Sequence, residues 1–88
     1  MLNFTSLEMN IIYVWSESAK DSPFPQEINL LNRMNKYPKG SPFTAMKKEV
    51  EIIYHWAEKE TVGHYGTEKY LLENEAKLLE KIEEYLGI

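Results

Sequence analysis

With 88 residues, 43% of them hydrophobic and 27% charged, the chain can fold as one domain around one core, and its apolar content argues against disorder. It contains no cysteine, which excludes disulfides and thiolate metal sites, and its longest apolar run, Ile11–Trp15, is too short to cross a bilayer. The net charge of −4 lies entirely in residues 41–88, where ten Glu face six Lys, while residues 1–40 are balanced at four acidic and four basic side chains.

No basic segment followed by a long apolar run opens the chain, so no signal peptide is expected and a cytoplasmic location is. Asn3-Phe4-Thr5 matches a glycosylation sequon, read as chance without a secretion signal. The first helix is expected from Ser6 to Ala19, with Thr5 as its cap and Glu8 completing a capping box. Phe4, Leu7, Ile11, Val14 and Trp15 fall on one face at helical spacing. Ile11–Trp15 also has strand propensity, but no second strand candidate is apparent to pair with it.

Asp21-Ser22-Pro23-Phe24-Pro25 breaks that helix. A shorter one is expected from Gln26 to Tyr37, burying Leu30, Leu31 and Met34, with Ile28 at the edge and Asn29, Asn32 and Lys36 in water. Pro38-Lys39-Gly40 ends it. Ser41 as cap and Pro42 at the first helical position open the third helix, with a core stripe of Phe43, Met46, Val50, Ile53 and Ala57 widened by Ile52, Tyr54 and Trp56. Ser-Pro-Phe thus stands twice before an expected helix, at residues 22–24 and 41–43. Thr61 to Gly66 reads as a turn in which Gly63 and Gly66 can take a positive φ.

Thr67 caps the fourth helix, whose apolar face is Leu71, Leu72, Leu78, Leu79, Ile82, Tyr85 and Leu86 and whose end is Gly87. Glu75 projects into that apolar face, where it needs a partner such as Arg33 or a tyrosine hydroxyl unless the helix begins later and leaves it at an edge. The expected fold is all-α: a compact antiparallel four-helix bundle with a short second helix, forming a single domain over residues 1–88.

Catalytic signatures are lacking. There is no Gly-rich phosphate loop, no nucleophile in a recognisable setting and no paired-carboxylate motif, so enzymatic chemistry and a cofactor are not expected. Glu51 and His55 are four apart and share a helix face, but a di-metal bundle uses Glu-x-x-His on two helices, so they read as a solvent-facing pair. Arg33, Lys36 and Lys39 are too few cations for a nucleic-acid face. The carboxylates are better placed. Glu51 and Glu58 share one stripe of the third helix, and Glu73, Glu80 and Glu84 share an outward stripe of the fourth with Lys77, which can pair with Glu73. Tyr65 and Tyr70 flank the Gly turn, where tyrosines beside carboxylates suit a protein-binding rim.

One further pattern runs through the acidic half. A helix opened by Ser41-Pro42 leads into Glu51-Ile52-Ile53 and Ala57-Glu58-Lys59-Glu60. A polar turn follows, then Tyr70, Glu73-Asn74, Lys77 and a Leu/Ile-rich helix ending in Glu-Glu-Tyr-Leu. Over roughly residues 41–86 this order resembles the colicin D immunity family, small four-helix proteins that inactivate a tRNA-cleaving bacteriocin domain. The resemblance implies that carboxylates cover a basic active-site cleft in place of the tRNA phosphates. The Ala-Glu-basic motif puts that role on Glu58, with Glu60 close by, and the Tyr-x-x-acidic match after Tyr70 puts it on Glu73. The family has further acidic residues in the turn where this chain reads Thr61-Val62-Gly63-His64-Tyr65, so the contact there is expected to differ.

The expected function is therefore a toxin inhibitor that binds a basic nuclease domain and performs no chemistry. Glu51, Glu58, Glu60, His64, Tyr65, Tyr70 and Glu73 are the expected contact residues, with no nucleic acid or membrane as partner and a monomer when free. The alternative is a small helical binding module or self-associating regulator unrelated to immunity.

Overall fold

The structure, a computed structural model, describes residues 1–21, 23–37, 41–63 and 73–88, without the side chains of residues 18 and 60–63. In chain order the described elements are β1 (Leu2–Phe4), α1 (Ser6–Trp15), a 3-10 turn (Ser16–Ala19), α2 (Pro25–Lys36), β2 (Phe43–Ala45), α3 (Lys47–Gly63) and α4 (Glu73–Leu86). The chain is mostly helical, with four α-helices among the described residues, and it also carries a two-stranded antiparallel sheet. The all-helical expectation is met only in part.

The sheet is small. Leu2, Asn3 and Phe4 face Ala45, Thr44 and Phe43, and the Thr44 hydroxyl donates to Asn3 Oδ1 across the pair at 2.7 Å. Asn3, the sequon residue, is thus engaged in the ladder. Phe4, Phe43 and Ala45 point into the core. Ile11–Trp15, the segment with strand propensity, is helical. The two three-residue strands are not legible in the sequence, because period-2 alternation over three residues carries almost no signal. The same oversight moves the third helix. Ser41-Pro42 does not open α3; a strand follows it, and α3 begins at Lys47.

The start of α3 is held by a carboxylate. The Met46 N–H donates to Glu49 Oε1 at 2.8 Å, and the Val50 N–H to the Met46 carbonyl at 2.9 Å. At the other end Thr61–Gly63, expected as turn, are helical.

α1 has the expected capping box: the Thr5 N–H donates to Glu8 Oε1 at 2.8 Å and the Glu8 N–H to the Thr5 hydroxyl at 3.2 Å. Its buried face is rotated from the expected one. Met9, Ile12 and Trp15 are buried, whereas Leu7 and Val14 are each 58% exposed. The helix is apolar almost all round, so spacing alone does not choose between two stripes. Its final turn tightens to 3-10 geometry, where the buried Ser16 hydroxyl donates to the Tyr13 carbonyl at 2.7 Å.

Pro25 takes the first position of α2, and Leu30 and Met34 are buried as expected. α3 is the central element: it packs against α1, the 3-10 turn, α2, β2 and α4. Val50, Ile53, Trp56 and Ala57 line its buried side, while Met46, expected in the core, is 53% exposed just ahead of the helix. α4 contributes Leu78, Leu79 and Ile82 and ends at Gly87, whose φ of +77° is the left-handed cap that glycine allows. Thr67, Leu71 and Leu72 lie outside the described residues.

Three polar ties hold the elements in place. Arg33 of α2 donates to the Thr44 carbonyl, lies 4.6 Å from the Phe43 ring centre, and pairs with Glu49 at 3.2 Å from Nε to Oε2, though without hydrogen-bond alignment. Lys81 of α4 donates to the Asn3 carbonyl at 2.7 Å and to Glu8 Oε1 at 2.8 Å. The Tyr13 hydroxyl donates to the Met34 carbonyl at 2.9 Å, joining α1 to the end of α2.

Candidate functional site

Outside the core, α3 presents side chains of both signs. Lys48 lines a groove against α2, and the charge of Lys59 acts on Glu27 of α2. Glu58 lies on the opposite flank, where its charge acts on the hydroxyl of Tyr54, one turn earlier. That hydroxyl also donates to Glu83 Oε2 of α4 at 3.1 Å. Tyr54 therefore sits in the seam between α3 and α4 with a carboxylate from each helix beside it. Burial first, then the bond to Glu83 and the charges of Glu58 and Glu83, push its phenol above the ordinary value of 10.0.

Further carboxylates are exposed on α3 and α4. Glu51, Glu58, Glu80 and Glu84 are exposed, and among the described residues none of them forms an ion pair. Glu58 and Glu51 are seven apart on α3, and Glu80 and Glu84 are one turn apart on α4, so helical geometry aligns them in two outward rows. At the seam itself two carboxylates, Glu58 and Glu83, meet one phenol from two packed helices. It offers hydrogen-bond acceptors and negative potential.

The expected contact residues are distributed unevenly. Glu58 is at the seam. Glu51 is exposed on the same helix but lines the groove against α2. Glu73 is exposed at the start of α4 and pairs with Lys77 at 3.3 Å, as its spacing suggested. Both partners are more than two-thirds exposed, so the pair is weak but offsets Glu73 locally. Glu60 is in α3 with its side chain undescribed. His64, Tyr65 and Tyr70 lie outside the described residues.

Sequence reasoning missed Tyr54 and Glu83 as members of the site. Tyr54 was assigned to widen the core, and it is in fact half-buried. Glu83 directly follows the core residue Ile82 and stands four after Leu79, so it sits at the edge of the apolar face. A carboxylate at such an edge wants a donor from the neighbouring helix, and that was the readable signal.

Other polar residues serve the fold. Glu75 is half-buried at the rim of a groove with Leu7, Asn10, Ile11 and Val14 rather than inside the core. Arg33, considered for Glu75, is spent on Glu49 and β2. Among the described residues no group of three His, Cys, Asp or Glu side chains could hold a metal ion, and no helix is long and apolar enough to cross a membrane. Comparison with protein-family models, with curated proteins and with solved structures yields no match.

Proposed function

We propose that this chain is an immunity-type inhibitor, acting in the cytoplasm, that blocks the basic active-site cleft of a nuclease toxin by presenting carboxylates where the polynucleotide phosphates would lie. The reading is carried by the Tyr54 seam, where Glu83 accepts from the hydroxyl and the charge of Glu58 acts on it from the other helix, and by Glu80 and Glu84 exposed on α4. Nuclease clefts that grip phosphates are lined with Lys, Arg and His. Carboxylates mounted on packed helices meet such a cleft with little ordering entropy, and opposite charge accelerates encounter. The resemblance of residues 41–86 to the colicin D immunity family points to the same class of partner.

The test is affinity capture from the host at low and high salt, followed by an RNA-cleavage assay on what is captured. The expected result is a basic nuclease that salt elutes, that the free chain inhibits, and that a Glu58→Lys, Glu80→Lys variant fails to hold. Capture that is unchanged by charge reversal, or captured protein without nuclease activity, would overturn the proposal.

A further inference from the structure

Residues 8–17 and 49–58 both read Glu-x-x-Ile-Ile-Tyr-x-Trp-x-Glu, a shift of 41 positions. A Leu-Leu-x-cation-apolar motif follows each, in Leu30–Met34 and Leu78–Ile82. There the shift is 48, because the second half has seven more residues between its two motifs. Amphipathic helices match one another readily by period alone. Here the match extends to burial at single positions. Ile12, Trp15, Leu30 and Met34 are buried, and so are their counterparts Ile53, Trp56, Leu78 and Ile82. Tyr13 and Tyr54 are both half-buried. Each donates its hydroxyl to the second helix of its own half, Tyr13 to the Met34 carbonyl and Tyr54 to the Glu83 carboxylate.

The contacts repeat too, and they repeat by rotation. Asn3 and Thr44 are counterparts under the shift of 41, and they face each other at the middle of the antiparallel pair. A two-fold axis between them carries Leu2 onto Phe43 and Phe4 onto Ala45, so the register maps onto itself. The helix starts obey the same relation: Glu8 accepts the Thr5 N–H, and Glu49 accepts the Met46 N–H. The ties across the axis are reciprocal. Arg33 of the first half reaches the Thr44 carbonyl and Glu49 of the second. Lys81 of the second half reaches the Asn3 carbonyl and Glu8 of the first. Every member of one tie is the counterpart of a member of the other. Contacts made once in each direction define an isologous interface. The copies differ in detail, since the rings beside the two cations, Phe43 and Phe4, are not counterparts.

We infer that the chain is a tandem duplication of one β-α-α unit, β1-α1-α2 followed by β2-α3-α4, folded as a fused two-fold pair in which each half is the partner that the other recognises. The inference is independent of the inhibitor reading, and it assigns the acidic seam to one copy. Asn10, Asn32, Asn35 and Lys36 stand where the second half has Glu51, Glu80, Glu83 and Glu84. The core and the reciprocal ties are common to both copies, whereas these four carboxylates distinguish the second.

The experiment reverses the order of the halves in the full chain. Five residues separate Tyr37 from Phe43. Their counterparts are Tyr85 and Leu2, and joining Ile88 to Met1 through one added Gly separates these by five as well. The rotation carries one gap onto the other. A permutant that starts at Ser41, passes through this junction and ends at Gly40 is therefore expected to fold as a monomer, with the circular dichroism and urea midpoint of the wild type. A second permutant, with about ten Gly at the junction, separates the length of the gap from the order of the halves. A third variant keeps the natural order and interchanges residues 8–17 with 49–58, so that each segment enters its counterpart's surroundings. It is expected to keep a single cooperative urea transition. Folding only with the long junction would show that the gaps differ and would overturn the two-fold pair. Loss of cooperative unfolding in both permutants, or in the segment interchange, would overturn the duplication.

Discussion

Glu27 remains a carboxylate although only 7% of it meets water. Burial pushes its pKa up, but the Phe24 N–H, the Trp56 indole and the charges of Lys59 and His55 outweigh that and hold it below the ordinary 4.5. Glu27→Ala leaves two N–H groups without their acceptor, one of them on a fully buried indole, and should cost about 2 kcal/mol in urea unfolding. A loss under about 0.5 kcal/mol would show that water replaces the carboxylate. Glu8 is lowered in the same sense: burial raises it, and Lys81 with the Thr5 N–H more than compensates. Because the folded values lie below the unfolded ones, both contributions are complete above the ordinary carboxylate value and disappear as pH falls through the folded values. Stability should therefore decline in acid, and Glu27→Gln should flatten that decline, as read from urea midpoints over a pH series. Tyr54 runs the other way. Replacing Glu83 with Gln should lower its phenol pKa in an ultraviolet titration, whereas Glu80→Gln should leave it in place; equal shifts would detach Glu83 from the hydroxyl.

Among elements, the legible parts were those with two agreeing signals. α1 announces its start by Thr5 and Glu8 together, and the structure holds both bonds. Thr5→Ala should cost about 1 kcal/mol, measured by thermal or urea unfolding, with α1 still formed. The end of α4 was likewise readable from Gly87, whereas α2, expected from Gln26, takes in Pro25 as its first residue. Gly87→Ala meets no neighbouring atom, so any loss of stability there is conformational. The two Ser-Pro-Phe tripeptides show what local signals leave undecided. Pro25 follows Phe24 and starts a helix, whereas Thr44-Ala45 follow Phe43 and pair with β1, a partner 41 residues away in the chain. Propensity cannot see a partner at that separation. The rotated face of α1 has the same origin, since which of two apolar stripes is buried depends on where α3 and α4 dock.

For the whole molecule, the anionic character of the second half was plain from composition, and the exposure of Glu51, Glu58, Glu80 and Glu84 followed helical spacing. How two helices join their carboxylates at Tyr54 was not legible, because it needs the α3–α4 docking. The radius of gyration, 12.3 Å, is that of a tightly folded chain of this length, about 12 Å. Lys81→Met should strip α4 of its tie to β1 and α1, and native-state hydrogen exchange should then quicken at the β1–β2 amides before it does in α3. Uniform quickening would mean that the tie is global. That single ammonium also has a vectorial consequence. Asn3 and Glu8 precede Lys81 by 78 and 73 residues, so the first strand lacks this latch until α4 has been synthesised. A nascent chain stalled before residue 81 would expose an unfastened strand edge to proteases and chaperones.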